Sequence, residues 1–172
     1  MKKLPRLTLA AGLAAPLALA SAHAQQTQTF TAAERYYQEG LDLFDRQQYG
    51  AAQQAMQQYL RQAPPRVSEQ SGPAAISGRQ ERLADAEYYY AVSGLYLLHP
   101  DAEGLILAFA QQYPTHPRAA VAYFELAKFY FDQQNYGQAS AYFQKVAPAS
   151  LSAEQRAESD FKLGYSEFQL KE

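Results

Sequence analysis

Neither cysteine nor tryptophan occurs in this chain of 172 residues, and it holds only three histidines and two methionines. Without cysteine there is no disulfide, no thiolate metal site, no cysteine nucleophile and no lipid-anchored N-terminus. An excess of positive charge is missing too, since 15 Lys and Arg stand against 17 Asp and Glu, a formal charge of −2. Phosphate neutralisation supplies most of the affinity for nucleic acid, so a mildly acidic chain without a basic stripe argues against that class of partner. Glycine and proline are ordinary at nine each, which speaks against a fibrous or wholly disordered chain. What is plentiful is apolar: 48% of the residues are hydrophobic and 14 are tyrosine, enough to bury a substantial core in one domain or one short array.

The N-terminal stretch reads as an address. Lys2, Lys3 and Arg6 precede an apolar run from Leu7 to Ala20, interrupted by Gly12 and Pro16. Ala22-x-Ala24 then fits a small-x-small cleavage site, and Gln25 to Gln28 turns abruptly polar. This is the layout of a secretory signal peptide over residues 1–24, followed by a polar segment over 25–32. The apolar run of 14 residues is short of the ~20 that span a bilayer as a helix, so no stable membrane insertion is expected after cleavage. Taking the three leading cations away from −2 leaves a mature charge of −5.

An internal repeat organises the rest. Phe44-Asp45-Arg46-Gln47-Gln48-Tyr49-Gly50-Ala51-Ala52 recurs as Phe131-Asp132-Gln133-Gln134-Asn135-Tyr136-Gly137-Gln138-Ala139, with six of nine positions identical at an offset of 87. Both copies lie between stretches whose apolar residues follow helical spacing: Tyr36, Tyr37, Gly40, Leu41, Leu43 and Phe44 before the first, Ala52, Met56, Tyr59 and Leu60 after it. Tyr123, Phe124, Ala127, Tyr130 and Phe131, then Ala139, Phe143 and Val146, do the same around the second. Pro64 and Pro148 end the second helices. Each copy therefore predicts the turn of a helical hairpin, with Tyr49 or Tyr136 plugging the turn and Gly50 or Gly137 giving it room.

At these residues the chain resembles the tetratricopeptide repeat family. That family repeats every 34 residues or so, with a small residue midway along its first helix, Ala early in the second and a large apolar residue four later. Gly40, Ala52, Met56, Tyr59 and Pro64 occupy those places in one copy; Ala127, Ala139, Phe143 and Val146 in the other, and Leu163-Gly164 begins a further unit. The resemblance implies an all-α, right-handed solenoid of antiparallel hairpins, about three and a half repeats long. Its units fall at about 33–62, 79–114 and 117–148, with a partial one at 153–172 and a Pro, Ser and Gly-rich insertion over 63–78. In the middle unit the small midway residue is either Ala91 or Gly94. The final helix is either a cap or the start of a longer array.

No chemistry accompanies the repeat. His99 and His116 each precede a proline at a helix start, and a separation of 17 suits no compact metal site. No phosphate loop, nucleophile elbow or His-Glu-x-x-His helix is present, and the acids lie scattered along helix faces. The expectation is a non-catalytic scaffold with no cofactor, whose partners are other proteins or peptides, with self-association possible. The resemblance implies a concave face lined by first helices, here Tyr37, Leu41 and Phe44, then Tyr88, then Phe124, Lys128 and Phe131, then Phe161, Tyr165 and Phe168. It also implies an exported, periplasmic adaptor of a Gram-negative cell envelope, or the recognition arm of a larger repeat protein, enzyme or outer-membrane assembly machine.

Overall fold

The computed structural model describes residues 32–63 and 73–171 of the chain. The expected signal peptide, the polar segment except its last residue and most of the expected insertion lie outside those residues. Everything described is helical or turn, with no strand among the described residues. Helix α1 covers residues 32–45. It is followed by α2 (Tyr49–Gln62), α3 (Pro73–Tyr96), α4 (Ala102–Gln112), α5 (Pro117–Asp132), α6 (Tyr136–Phe143) and α7 (Ala153–Gln169), with a 3-10 turn at Pro148–Ser150 before α7.

Local chemistry sets the helix ends. At α5, Pro117 takes the first helical position, where its missing N–H costs nothing, and His116 caps the end by accepting the N–H of Arg118. Asn135 caps α6 through the N–H of Gln138. Ser152 and Gln155 close a reciprocal capping box at α7. One expectation fails here: α3 begins at Pro73, so Pro73 to Gly78 belong to the helix and not to an irregular insertion. The composition of that stretch reads as loop, but proline is favoured in a helix's first turn and Ala74, Ala75 and Ile76 then continue it readily.

Three turns share one hydrogen-bond pattern. The N–H of Gln47 bonds the carbonyl of Phe44 and that of Gln48 reaches Leu43; Gln134 and Asn135 do the same with Phe131 and Tyr130, and Leu98 and His99 with Leu95 and Gly94. Gln47, Leu98 and Gln134 sit in the left-handed region at φ 60, 60 and 61, which makes each a Schellman ending without glycine. The turn between α3 and α4 is thus the same device as the two with related sequence. Seven residues before each left-handed residue stand Gly40, Ala91 and Ala127.

Consecutive helices pack against each other from α2 to α7, and α5 also touches α3 and α7. Close approach does the work at the crossings. A Cβ placed on Gly40 would lie 2.7 Å from Cε of Met56, so the Met56 side chain of α2 packs directly on the α1 backbone and would have to shift to admit one. Ala52, Ala139 and Ala127 are fully buried at the corresponding crossings, and Ala91 and Ala102 nearly so. Met56, Ile106 and Phe143, each four residues after Ala52, Ala102 and Ala139, fill the neighbouring holes. The core runs continuously from α3 to α7, while a second cluster joins α1 and α2 to α3 through Tyr37, Met56, Tyr59, Leu83 and Ala86.

Replacing Ala52 or Ala139 by Leu therefore forces three extra heavy atoms into a filled crossing. Each variant is expected to lose about 1–3 kcal/mol in urea unfolding; unchanged midpoints in both would contradict this register.

Candidate functional site

The first helices of successive hairpins, α1, α3, α5 and α7, meet along a row of rings and charges. Nearest the chain start, Asp85 on α3 accepts the Tyr37 hydroxyl at 3.0 Å and is ion-paired with Arg118 on α5. The Arg118 guanidinium lies 4.5 Å from the Tyr89 ring centre and 5.1 Å from that of Tyr88, so one cation ties α5 to both the acid and the rings of α3. Burial, and then Asp85, push the Tyr37 hydroxyl well above the ordinary phenol range. His116, its Nδ1 occupied by the helix cap, directs Nε2 toward Asp85 at 3.9 Å. A cleft of about 520 Å³ lies at this end, lined in part by Leu83, Ala84, Gln112, Tyr113 and His116.

Further along, Tyr96 donates to Glu125 at 2.5 Å and Lys128 approaches the same carboxylate at 3.4 Å. Phe44 packs on Tyr49 and Tyr89 at 5.4 and 4.8 Å, and Tyr49 stacks on Tyr96 at 4.3 Å. The twin segment reproduces this: Phe131, Tyr136 and Tyr165 form a triangle with all three ring distances between 5.7 and 5.8 Å. Lys162 of α7 covers the Phe131 ring at 4.9 Å and pairs with Asp132. Tyr49 and Tyr136, expected to plug the turns, each pack on the Phe at the end of the preceding helix and on a tyrosine of a neighbouring first helix. The room expected from glycine is not needed: a Cβ on Gly50 would meet nothing within 4 Å, and one on Gly137 would only graze the Asn135 side chain.

The residues expected to line an open groove divide into three groups. Tyr37, Tyr88 and Phe124 are inside the protein, at 7%, 4% and 1% exposure. Each faces a ring on its own second helix, namely Tyr59, Phe109 and Phe143. They are hairpin core, and no partner reaches them. Leu41, Phe44, Lys128 and Phe131 are half-buried along the row, where one side of each stays reachable. Phe161, Tyr165 and Phe168 are exposed on α7. The structural positions Gly40, Ala52, Ala127 and Ala139 stand at crossings, whereas Gly164 faces open space.

Sequence reasoning missed the acids of this site. Asp85, Glu103 and Glu125 are half-buried acceptors between helices and not solvated surface. Glu103 alone accepts two tyrosine hydroxyls, from Tyr130 and Tyr142, each at 2.6 Å. The available signal was the tyrosine count, because a buried phenol needs an acceptor and carboxylates on the inward helix edge supply it. Among the described residues no group of three or more His, Asp or Glu is placed to hold a metal ion. No described helix is long and apolar enough to cross a membrane. Compared with family models, curated proteins and solved structures, the chain matches none.

The Glu103 knot carries a pH signature. Burial first, then the hydrogen bond to Glu103 and its charge, push the Tyr130 hydroxyl up to about 12, and Tyr142 moves the same way. Tyrosines of the unfolded chain titrate near ~10. The folded state therefore holds these protons more tightly, so the stability they contribute is full below about pH 10 and is lost as the pH climbs toward 12. Urea midpoints of the wild type should fall more steeply from pH 9.5 to 11.5 than those of Tyr130→Phe/Tyr142→Phe; parallel declines would contradict the assignment.

Proposed function

We propose that this chain is a non-catalytic scaffold of the tetratricopeptide type, a right-handed stack of about three and a half hairpins that holds other proteins or peptides. The row along α1, α3, α5 and α7 carries this reading. It offers half-buried aliphatic and aromatic side chains, Leu41, Phe44 and Phe131, beside a cation, Lys128, on helices whose backbones are pinned by the Asp85, Glu103 and Glu125 knots. Rings held in place lose little entropy on binding, which is why such positions anchor protein interfaces. The acids along the row serve tyrosine hydroxyls and cations, which supports a structural use for them over acid–base catalysis.

The same proposal places the protein in the envelope of a Gram-negative cell. The support is the sequence of residues 1–24, with its cationic start, short apolar run and Ala22-x-Ala24 site. Cleavage there would leave Gln25 as the mature N-terminus.

Affinity capture from an envelope fraction tests the binding reading. The wild-type chain is compared with Leu41→Lys/Lys128→Ala, after circular dichroism has shown that both carry the same helix content. At least one captured protein should fall tenfold or more with the variant. Equal recovery of every protein would remove the row as the docking surface.

A further inference from the structure

The two ring nitrogens of His116 stand in opposite situations. Nδ1 accepts the backbone N–H of Arg118 at 3.3 Å and so caps α5. A backbone N–H can only donate, so Nδ1 must keep a free lone pair and the neutral ring must carry its proton on Nε2. That Nε2–H is buried and meets no acceptor; among the described residues the other buried side-chain polar atom left without a partner is Ser93 Oγ. Oδ1 of Asp85 lies 3.9 Å from Nε2, just beyond hydrogen-bond reach. The side chain is only 15% exposed, with Phe109 at 6.0 Å and Tyr113 at 6.3 Å from the ring centre.

Asp85 is already shared. Its Oδ1 holds the Arg118 guanidinium and its Oδ2 accepts the Tyr37 hydroxyl at 3.0 Å, so this one carboxylate joins α1, α3 and α5. His116 therefore stands between a helix cap at one nitrogen and a contested carboxylate at the other. Histidine changes charge between about pH 5 and 8, and the charged ring donates from both nitrogens. A proton on Nδ1 sets donor against donor at the Arg118 N–H, so the cap fails, while the positive ring is drawn toward Asp85. The groups around the ring are few. From α3 come Asp85 and, on the same cleft, Glu81; from α4 come Phe109, Gln112 and Tyr113, which bring no charge at these pH values. From α5 comes Arg118, which repels the charged ring together with the positive end of that helix, and α1 adds Tyr37 through its bond to Asp85.

We propose that His116 is a proton-operated switch in the hub that joins α1, α3 and α5. Neutral, it caps α5 and leaves Asp85 to Arg118 and Tyr37. Charged, it releases the cap and bonds Oδ1 of Asp85 in competition with Arg118. The travel is small, since closing the gap to a charge-assisted bond of about 2.8 Å takes roughly 1 Å of movement. Its consequence is wider, because Asp85 is the polar tie between the first helices of three successive hairpins. The switch stands whether or not the row binds a partner, and the hub itself is what the experiment reads.

NMR spectra of the isotopically labelled full chain, recorded in steps from pH 8 to pH 5, test this with one matched variant. His116→Asn keeps a side-chain acceptor for the cap but does not titrate. At pH 8 the wild-type His116 ring should show a protonated Nε2 and a bare Nδ1. On acidification the Arg118 amide proton and the Asp85 carboxyl carbon should both shift with the midpoint of the His116 ring. In His116→Asn the Arg118 amide should hold its pH 8 position throughout, and the Asp85 carbon should show no step at that midpoint. A proton on Nδ1 at pH 8 overturns the proposal. So does an Arg118 amide that ignores the ring's titration, or an Asp85 carbon that follows the same course in wild type and variant.

Discussion

The approach of two helix backbones at a residue with little or no side chain is the constraint on which this molecule depends. At Gly40 the first helix comes so near the second that Met56 occupies the space of a missing Cβ. Ala91 and Ala127 occupy the same register position in α3 and α5, and both are buried. Once the axes are that close, the residues on either side have no choice of neighbour: Tyr37, Tyr88 and Phe124 must lie against the second helix, and Met56, Ile106 and Phe143 must fill the gaps beside the crossing. Packing of this density leaves few holes and little tolerance for added volume. The tight turns are consistent with it. A hairpin closed by three to five residues, with a left-handed residue inside the turn, brings its helices back at short range.

A second tier of interactions joins hairpin to hairpin, and here the protein uses polarity. Tyr37, Asp85 and Arg118 link α1, α3 and α5; Tyr96 and Glu125 link α3 to α5; Tyr130, Tyr142 and Glu103 tie α4 to α5 and α6. Each carboxylate is half-buried and would be costly to leave unpaired there. Phenol hydroxyls meet that need while their rings add apolar contact, which accounts for a composition heavy in tyrosine and free of tryptophan. The row that this creates is stiff. Stiffness of that kind supports the proposed reading of a surface that binds by presenting side chains already in place.

The hairpin turns were the most legible part of the sequence because two of them keep nearly the same residues, Phe-Asp-x-Gln-x-Tyr-Gly. The middle turn has the same hydrogen bonds with wholly different residues, Leu95 to His99, since a Schellman ending demands a backbone shape and not a particular side chain. Pattern reading could not see it. The start of α3 was hidden for the opposite reason: Pro73 and Gly78 carry loop character in isolation, yet proline belongs at a helix start. In the candidate site, the expected aromatic positions fall on α1, α3, α5 and α7, but spacing alone does not say which side of a helix a neighbour covers. Tyr37, Tyr88 and Phe124 were therefore assigned to an open face that their own second helices close. The tyrosine mates of Asp85, Glu103 and Glu125 come from residues 27 to 48 positions away along the chain, beyond the reach of local periodicity.

A double-mutant cycle on Gly40 and Met56 tests the close-approach account most directly. In the wild-type background Gly40→Ala should destabilise the chain, even though alanine is the better helix former by about 1 kcal/mol, because the new Cβ displaces a buried Met56. In a Met56→Ala background the same Gly40→Ala change should stabilise, since the obstruction is gone and the propensity gain remains. That reversal of sign in urea unfolding is the predicted result. Equal stabilisation by Gly40→Ala in both backgrounds would show that the helices do not meet at this residue, and the packing scheme built on it would be contradicted.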